Sequence, residues 1–170
     1  MIQRRQTIYL LTIVILGVIL CFCPVVQLTT PETDQIQRMF DVCATGVEET
    51  TPEMSYIELM PIEFPNMLWL LITSATIAVI AFVDIFLFKK RILQARVNVF
   101  LAVVCLGYYA ILAWIVWTTR QMIAMNYGIT LGWDISFGAC VPLVCLILTM
   151  GAIRLILRDE AMVRAADRIR

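Results

Sequence analysis

The sequence predicts an all-α membrane protein, a bundle of four transmembrane helices with both termini in the cytoplasm. Three observations lead to this prediction. The 170-residue chain is 61% hydrophobic and 15% charged, with a mean hydropathy of +0.88, which is too apolar for the surface of a soluble domain. Four apolar runs each approach the ~20 residues that a helix needs to cross a bilayer. The basic residues are gathered at one end of these runs.

The four runs divide a single membrane domain, residues 1–170, into its predicted elements. They cover about residues 7–28, 66–88, 97–118 and 135–157. Inside hydrocarbon a backbone must satisfy its own hydrogen bonds, and runs this long and uniform do so as helices, because barrel strands are shorter and alternate. After the fourth run, residues 158–170 predict a cytoplasmic amphipathic helix, since Met162, Ala166 and Ile169 share one face.

Charge sets the predicted orientation, because Lys and Arg beside short loops are retained in the cytoplasm during insertion. Eleven of the thirteen basic residues fall before the first run, between the second and third, or after the fourth. These are Arg4, Arg5, Lys89, Lys90, Arg91, Arg96, Arg154, Arg158, Arg164, Arg168 and Arg170. Tryptophan favours the headgroup boundary, and Trp69, Trp114, Trp117 and Trp133 all map to the opposite, outer end.

An acidic outer loop of 37 residues, 29–65, joins the first two predicted helices. Alternating stretches at 39–47 and 54–64, separated by an acidic turn region at 48–53, predict a short β-hairpin that lies on the helix ends. A piece this small does not fold alone. Its charge is compatible with attraction of a cation or a basic partner, but it favours a solvated face that stays outside the membrane.

One polar pair lies within the predicted spans. Asp84 is the only acid inside a run, and Asn98 sits at the facing end of the next run, across the tight link. Ionisable groups inside a membrane are costly unless they are paired or line a cavity. The pair therefore predicts either a contact that positions the two helices or part of a proton or ion path.

Recognisable enzyme chemistry is missing from the sequence. The chain has no histidine, and it shows no phosphate-binding loop, nucleophile elbow or paired midplane carboxylates. Its six cysteines include no CxxC motif, which disfavours a thiol oxidant and leaves open a structural bridge from Cys43 to Cys21, Cys23 or Cys140. We therefore expect no catalytic residue, cofactor or metal, and no nucleic-acid partner.

The two ends of the chain carry a resemblance to a known family. The opening Met1-Ile2-Gln3-Arg4 with Gln6-Thr7-Ile8-Tyr9-Leu10-Leu11, and the closing residues 163–170, VRAADRIR, resemble an uncharacterised family of small four-helix inner-membrane proteins of Bacteroidetes. Arg5 stands where that family has an apolar residue, and Ala165 where it often has serine. The resemblance implies a multi-pass protein of a bacterial inner membrane with a periplasmic first loop, and transfers no activity.

Both motifs fall on the predicted cytoplasmic side, where they define a cytoplasmic cluster. Its members are Gln3, Arg4, Gln6, Arg164, Asp167 and Arg168. We expect this cluster to join the first and last helices, and either simply to close the bundle or to form a docking face as well. The sequence thus favours a non-enzymatic subunit or accessory factor in the lipid bilayer that binds another membrane protein. A small transporter or channel is the alternative, followed by a thiol-redox or lipid- or quinone-binding enzyme; which small molecule would be bound is not indicated.

Overall fold

The computed structural model describes residues 5–29, 39–49, 66–87, 90–127 and 130–168. Four helices dominate these residues: α1 (Arg5–Phe22), α2 (Leu68–Phe86), α3 (Arg91–Tyr127) and α4 (Cys140–Arg168). Four strands accompany them: β1 (Pro24–Thr29), β2 (Met39–Cys43), β3 (Gly46–Glu49) and β4 (Gly132–Ile135). The protein is therefore mostly helical, as predicted, but the all-α class is wrong because of the sheet.

The helices form a ring in which each packs against two neighbours. α1 packs against α2 and α4, and α3 packs against α2 and α4. Close approach of α1 and α2 depends on small side chains, because a Cβ atom on Gly17 would lie 3.0 Å from Cβ of Ala78. α2, α3 and α4 contain stretches long and apolar enough to cross a membrane, and α1 contributes a shorter apolar helix, Thr7–Phe22.

The first predicted span, 7–28, is wrong in its last six residues. α1 ends at Phe22 and the chain continues as β1 from Pro24. Proline has no backbone N–H and disfavours helical geometry in the residue before it, so it ends the helix at this point. The apolar residues Val25, Val26 and Leu28 are buried in a strand, and an apolar run this short does not distinguish strand from helix.

α3 and α4 also differ from their predicted bounds. α3 has 37 residues where 97–118 was expected, because no helix-breaking residue interrupts the polar sequence at either end. α4 begins at Cys140 instead of residue 135, after a short 3₁₀ helix, Phe137–Ala139, and continues through the predicted tail to Arg168. Pro142 falls in its first turn, where backbone N–H groups have no helical partner.

A four-stranded antiparallel sheet, in the order β3-β2-β1-β4, lies at the end of the bundle where α1 stops and α4 starts. β2 and β3 form a tight hairpin in which Cys43 pairs with Gly46. A hairpin in the loop is thus present, but its turn is at 44–45. Of the predicted turn at 48–53, residues 48 and 49 belong to β3, and the rest lies outside the described residues, as does the predicted second strand, 54–64. Of β4, only Ile135 falls within the predicted fourth helix; residues 132–134 were assigned to the link before it.

The sheet and the bundle share one continuous apolar core. Buried residues of the sheet, such as Leu28, Phe40 and Val42, belong to the same cluster as Leu10, Ile77 and other helix residues. A close backbone contact fixes the junction, since a Cβ atom on Gly138 would lie 2.2 Å from the carbonyl oxygen of Pro24. Only glycine fits there. β1 therefore connects the end of α1 to the segment that precedes α4.

Candidate functional site

Three buried polar side chains lie between α2 and α3, near the link that joins these helices. Asp84 near the end of α2 and Asn98 in α3 are both fully buried, and Gln94, one turn before Asn98, is 2% exposed. We call these three residues the polar cluster. A carboxylate and two amides in such a position are costly unless their polar atoms are paired.

Hydrogen bonds hold the polar cluster together. Nδ2 of Asn98 donates to Oδ2 of Asp84 (2.5 Å) and to the backbone oxygen of Gln94 (3.0 Å). Nε2 of Gln94 donates to the backbone oxygen of Asp84 (3.2 Å). The contact between Asp84 and Asn98 that the sequence suggests is therefore present. Every amide N–H₂ group of the polar cluster is directed at an acceptor.

In contrast to these N–H₂ groups, three side-chain oxygens of the polar cluster have no hydrogen-bond partner among the described residues. Oδ1 of Asp84, Oε1 of Gln94 and Oδ1 of Asn98 are buried and accept no hydrogen bond from any described residue. Buried oxygens of this kind usually have a protein or solvent partner. Sequence reasoning missed Gln94 because the third helix was expected to begin at residue 97; its spacing of four residues from Asn98 was the available signal.

A second feature is an apolar groove of about 470 Å³ on the surface between α3 and α4. It lies at the same end of the bundle as the α2–α3 link. Ala95 and Ala161 contribute small side chains to it, and Arg96 and Glu160 place opposite charges along its length. The remaining lining residues are Ile92, Val99, Ile153, Ile156 and Leu157. We call this feature the α3/α4 groove.

The predicted cytoplasmic cluster lies largely outside the described residues. Gln3 and Arg4 precede the described chain, and for Gln6, Arg164, Asp167 and Arg168 only the helical backbone is described. Gln6 lies in the first turn of α1, and the other three lie in the last turns of α4. Because α1 and α4 run antiparallel and pack together, these helix segments fall at one end of the bundle.

The cysteines form no disulfide: all six are thiols in the structure. Cys43 in β2 is only 4% exposed. Burial, reinforced by the negative charges of Glu48 and Asp41, raises the pKa of the Cys43 thiol above its usual value. A raised pKa lowers the thiolate fraction, and the thiolate is the reactive form. Cys43 therefore does not have the environment of a reactive thiol.

Comparison with known proteins places the chain in a family without assigning it an activity. No curated protein shows significant sequence similarity to it. A family described as a domain of unknown function, DUF4293, matches residues 2–169, which is nearly the whole chain. The resemblance seen at the two ends of the sequence therefore extends over the protein, and the chain belongs to the family of the domain of unknown function DUF4293.

Proposed function

We propose that this protein is a non-enzymatic subunit or accessory factor of a bacterial inner membrane, and that it docks to a transmembrane helix of another membrane protein. In this proposal it crosses the membrane four times, with both termini in the cytoplasm and the first loop in the periplasm. The observation that carries the docking role is the α3/α4 groove. In this proposal the cytoplasmic cluster, whose residues on α1 and α4 lie in helix segments at the same end of the bundle, extends the docking face.

The surface of α1 supports its role as a fourth span. Its apolar part, Thr7–Phe22, has 16 residues, which correspond to about 24 Å of helix against the ~30 Å of the hydrocarbon core. From Ile8 to Phe22, the exposed side chains on the side of α1 that faces away from the bundle are apolar. Its exposed side chains include Ile8, Leu11, Ile15, Val18, Ile19 and Phe22. Such a surface suits lipid, and the small cost of the shorter helix is met by local thinning of the bilayer.

The orientation gives a first prediction. A green fluorescent protein fused after Arg170 should fluoresce, because it folds in the cytoplasm. Alkaline phosphatase inserted at the β2–β3 turn, residues 44–45, should be active, because it needs the periplasm. Insertion of the same phosphatase between Lys89 and Lys90 is the matched control and should be inactive. The reverse pattern would invert the proposed orientation, and the proposed cytoplasmic docking face would then lie in the periplasm.

The chemistry of the α3/α4 groove favours a helix as its occupant. Small side chains such as Ala95 and Ala161 allow two helix backbones to approach closely, and van der Waals packing drives helix association in lipid. Arg96 and Glu160 place opposite charges along an otherwise apolar surface. Arg96 would help to set the register of a partner helix that carries an acidic group near its end. An acyl chain has no group that would use this charge.

A second prediction tests the groove directly. A photo-crosslinking amino acid introduced at Ala95 or Ala161 should give one discrete adduct with another membrane protein after irradiation of intact cells. The matched control is Val83, which lies on α2 near Asp84 and is 47% exposed; the same amino acid there should crosslink only to lipid. The Ala95→Phe substitution should fill the groove and remove the adduct formed from Ala161.

Other crosslinking patterns would contradict docking at the groove. Adducts of equal yield from Val83 and Ala161, or lipid adducts alone from all three sites, would show that the groove is an ordinary lipid-facing surface. An adduct of twice the protein's own mass would replace the proposed partner by a second copy of the chain. The Arg164→Ala plus Arg168→Ala variant tests the cytoplasmic cluster separately: it should lose the adduct if the docking face extends that far.

A small transporter or channel is the second candidate, and the three unpaired oxygens of the polar cluster are the observation that favours it. Transporters place polar groups where they can hold an ion inside the bundle. The polar cluster, however, lies near one end of α2 and not at its middle. A purified docking subunit in liposomes should give no ion flux, whereas a steep leak that disappears in Asp84→Asn would support transport.

A further inference from the structure

The polar cluster is an unusual arrangement because it contains more unpaired acceptors than a buried site normally has. Its three side chains are at most 2% exposed. Their N–H₂ groups are all used in contacts to Asp84 and Gln94. What remains is one oxygen from each side chain, Oδ1 of Asp84, Oε1 of Gln94 and Oδ1 of Asn98, with no donor among the described residues.

The hydrogen bonds also determine the orientation of the side-chain amides of Asn98 and Gln94, that is, the positions of the N–H₂ group and of the oxygen. If Asn98 were flipped, its oxygen would face Oδ2 of Asp84 and the backbone oxygen of Gln94. A flipped Gln94 would likewise direct its oxygen at the backbone oxygen of Asp84. Two acceptors facing each other repel, so the network selects the orientation in which the amide oxygens are unpaired. The amide oxygens are therefore unpaired as a consequence of the hydrogen bonds that the two N–H₂ groups donate.

The surroundings of the carboxylate lack a counter-charge. No basic side chain of the described residues forms an ion pair with Asp84, whose hydrogen-bonded side-chain partner is the neutral amide of Asn98. Ala81 and Leu101, one turn from Asp84 and Asn98 along their helices, are buried apolar residues. A buried carboxylate is costly without a paired charge. Among the described residues, the three unpaired oxygens therefore have neither a hydrogen-bond donor nor a positive charge as a partner.

We propose that the polar cluster binds one Na⁺ ion, held by the carboxylate of Asp84 and the amide oxygens of Gln94 and Asn98. Oxygen atoms alone are the ligands of hard cations. The three side chains together carry a single negative charge, so a monovalent ion leaves a neutral site, whereas a divalent ion would leave a buried positive charge. The three side chains are enclosed between two packed helices, and such an enclosed site favours Na⁺ over the larger K⁺.

Bound Na⁺ would connect α2 to α3 across the link at 88–90. Two ligands come from α3 and one comes from the end of α2. The ion would thereby hold the ends of these two helices in one arrangement. This inference does not depend on the docking proposal: a Na⁺ site that ties two helices together requires neither flux nor a partner protein.

Direct binding to the purified full-length protein is the test. The protein in mild detergent is exchanged into choline chloride and incubated with radioactive sodium. We expect about one retained ion per chain, displaced by unlabelled Na⁺ and at least tenfold less well by K⁺. The midpoint of thermal unfolding should rise by about 3 °C for each tenfold increase in Na⁺ above the dissociation constant, because only the folded state has the site.

Three variants sharpen the test. Asp84→Asn should reduce sodium retention at least tenfold, and Asp84→Leu plus Asn98→Leu should abolish it in a bundle whose buried polar pair has become apolar. Ser74→Ala is the matched control. It removes a different buried polar group, a hydroxyl on α2 ten residues before Asp84, and should retain Na⁺ with unchanged affinity.

Several results would overturn the proposal. One is a wild-type protein that retains no sodium and unfolds at the same temperature in Na⁺ and choline. Another is Asp84→Asn with undiminished sodium retention. A third is stabilisation of the wild type by acid and not by Na⁺, lost in Asp84→Asn, which would show that the polar cluster takes a proton. Sodium retention by the wild-type protein tests the proposal by itself, even if a variant fails to fold.

Discussion

Replacing Asn98 by leucine should lower the free energy of unfolding by about 3 kcal/mol, measured by titration with SDS in mixed micelles with tryptophan fluorescence as the signal. Leucine is close to asparagine in size but cannot donate to Oδ2 of Asp84, whose bond from Nδ2 of Asn98 is its side-chain hydrogen bond. Removing the donor leaves an oxygen of the buried carboxylate without its hydrogen bond, at a cost of roughly 1–3 kcal/mol, and more for a charged group.

The double variant Asp84→Leu plus Asn98→Leu should recover most of that loss. When both partners of a buried polar pair are replaced by apolar groups of similar shape, no unpaired group remains, and stability should fall within about 1 kcal/mol of the wild type. The measurement should be made in choline chloride, so that any effect of Na⁺ is separate. The two single losses would then exceed the double loss by about 2–3 kcal/mol of coupling energy.

A matched control for this cycle pairs Asn98→Leu with Ser74→Ala. The hydroxyl of Ser74 donates to the backbone oxygen of Leu71 (2.9 Å) and contacts the Cys21 sulfur, away from the polar cluster. Their losses should add within about 0.5 kcal/mol, because distant sites behave independently. If the stability losses of the Asp84 and Asn98 variants were also additive, the contact between these two residues would contribute little to stability, and the expected coupling energy would be absent.

The sequence predicted the contact between Asp84 and Asn98 because few polar residues occur in the apolar runs and a short link makes the neighbouring ends of two helices face each other. The same reasoning missed Gln94. In the sequence it lies among Lys90, Arg91 and Arg96, so it was assigned to the solvated link, whereas in the structure α3 begins at Arg91 and buries it. A helix boundary misplaced by six residues was enough to hide one third of the site.

The helices could be predicted because a long, uniformly apolar run forms a helix in a membrane. The sheet could not be predicted. Val25, Val26 and Leu28 continue the apolar character of the first run, and only Pro24 indicates that the helix stops. β4 has no buried side chain, and its four residues, Gly132-Trp133-Asp134-Ile135, are too few for their alternation to predict a strand. Its position follows from pairing with β1, between residues more than one hundred positions apart, and a single sequence does not encode such pairing locally.

The α3/α4 groove was also beyond sequence reasoning, for a geometric reason. It is formed by the separation of two helix surfaces, so it depends on how α3 and α4 cross and not on any one residue type. Ala95 and Ala161 look like ordinary helix-forming residues in the sequence. Only the packing shows that they line the same surface as Arg96 and Glu160.

The second large effect is expected at Tyr108, a fully buried residue of α3 with one of the largest side chains in the core. Tyr108→Ala should lower the free energy of unfolding by about 3–5 kcal/mol, because truncation of a buried aromatic ring leaves a cavity that the surrounding helices fill only in part. The substitution also removes an edge-to-face contact with Tyr109, whose ring centre lies 6.3 Å away.

Tyr108 should tolerate loss of its hydroxyl, and this substitution separates the contribution of the aromatic ring to stability from that of the hydroxyl. The Tyr108 hydroxyl is buried and has no hydrogen-bond partner among the described residues, so Tyr108→Phe should leave stability unchanged or raise it by up to about 1 kcal/mol. Tyr109→Phe is the matched control. It removes a hydrogen bond of 2.6 Å to the backbone oxygen of Ala139 and should cost about 1 kcal/mol. If the two phenylalanine variants lost equal free energy of unfolding, the Tyr108 hydroxyl would have a hydrogen-bond partner in the folded protein, which would contradict this prediction.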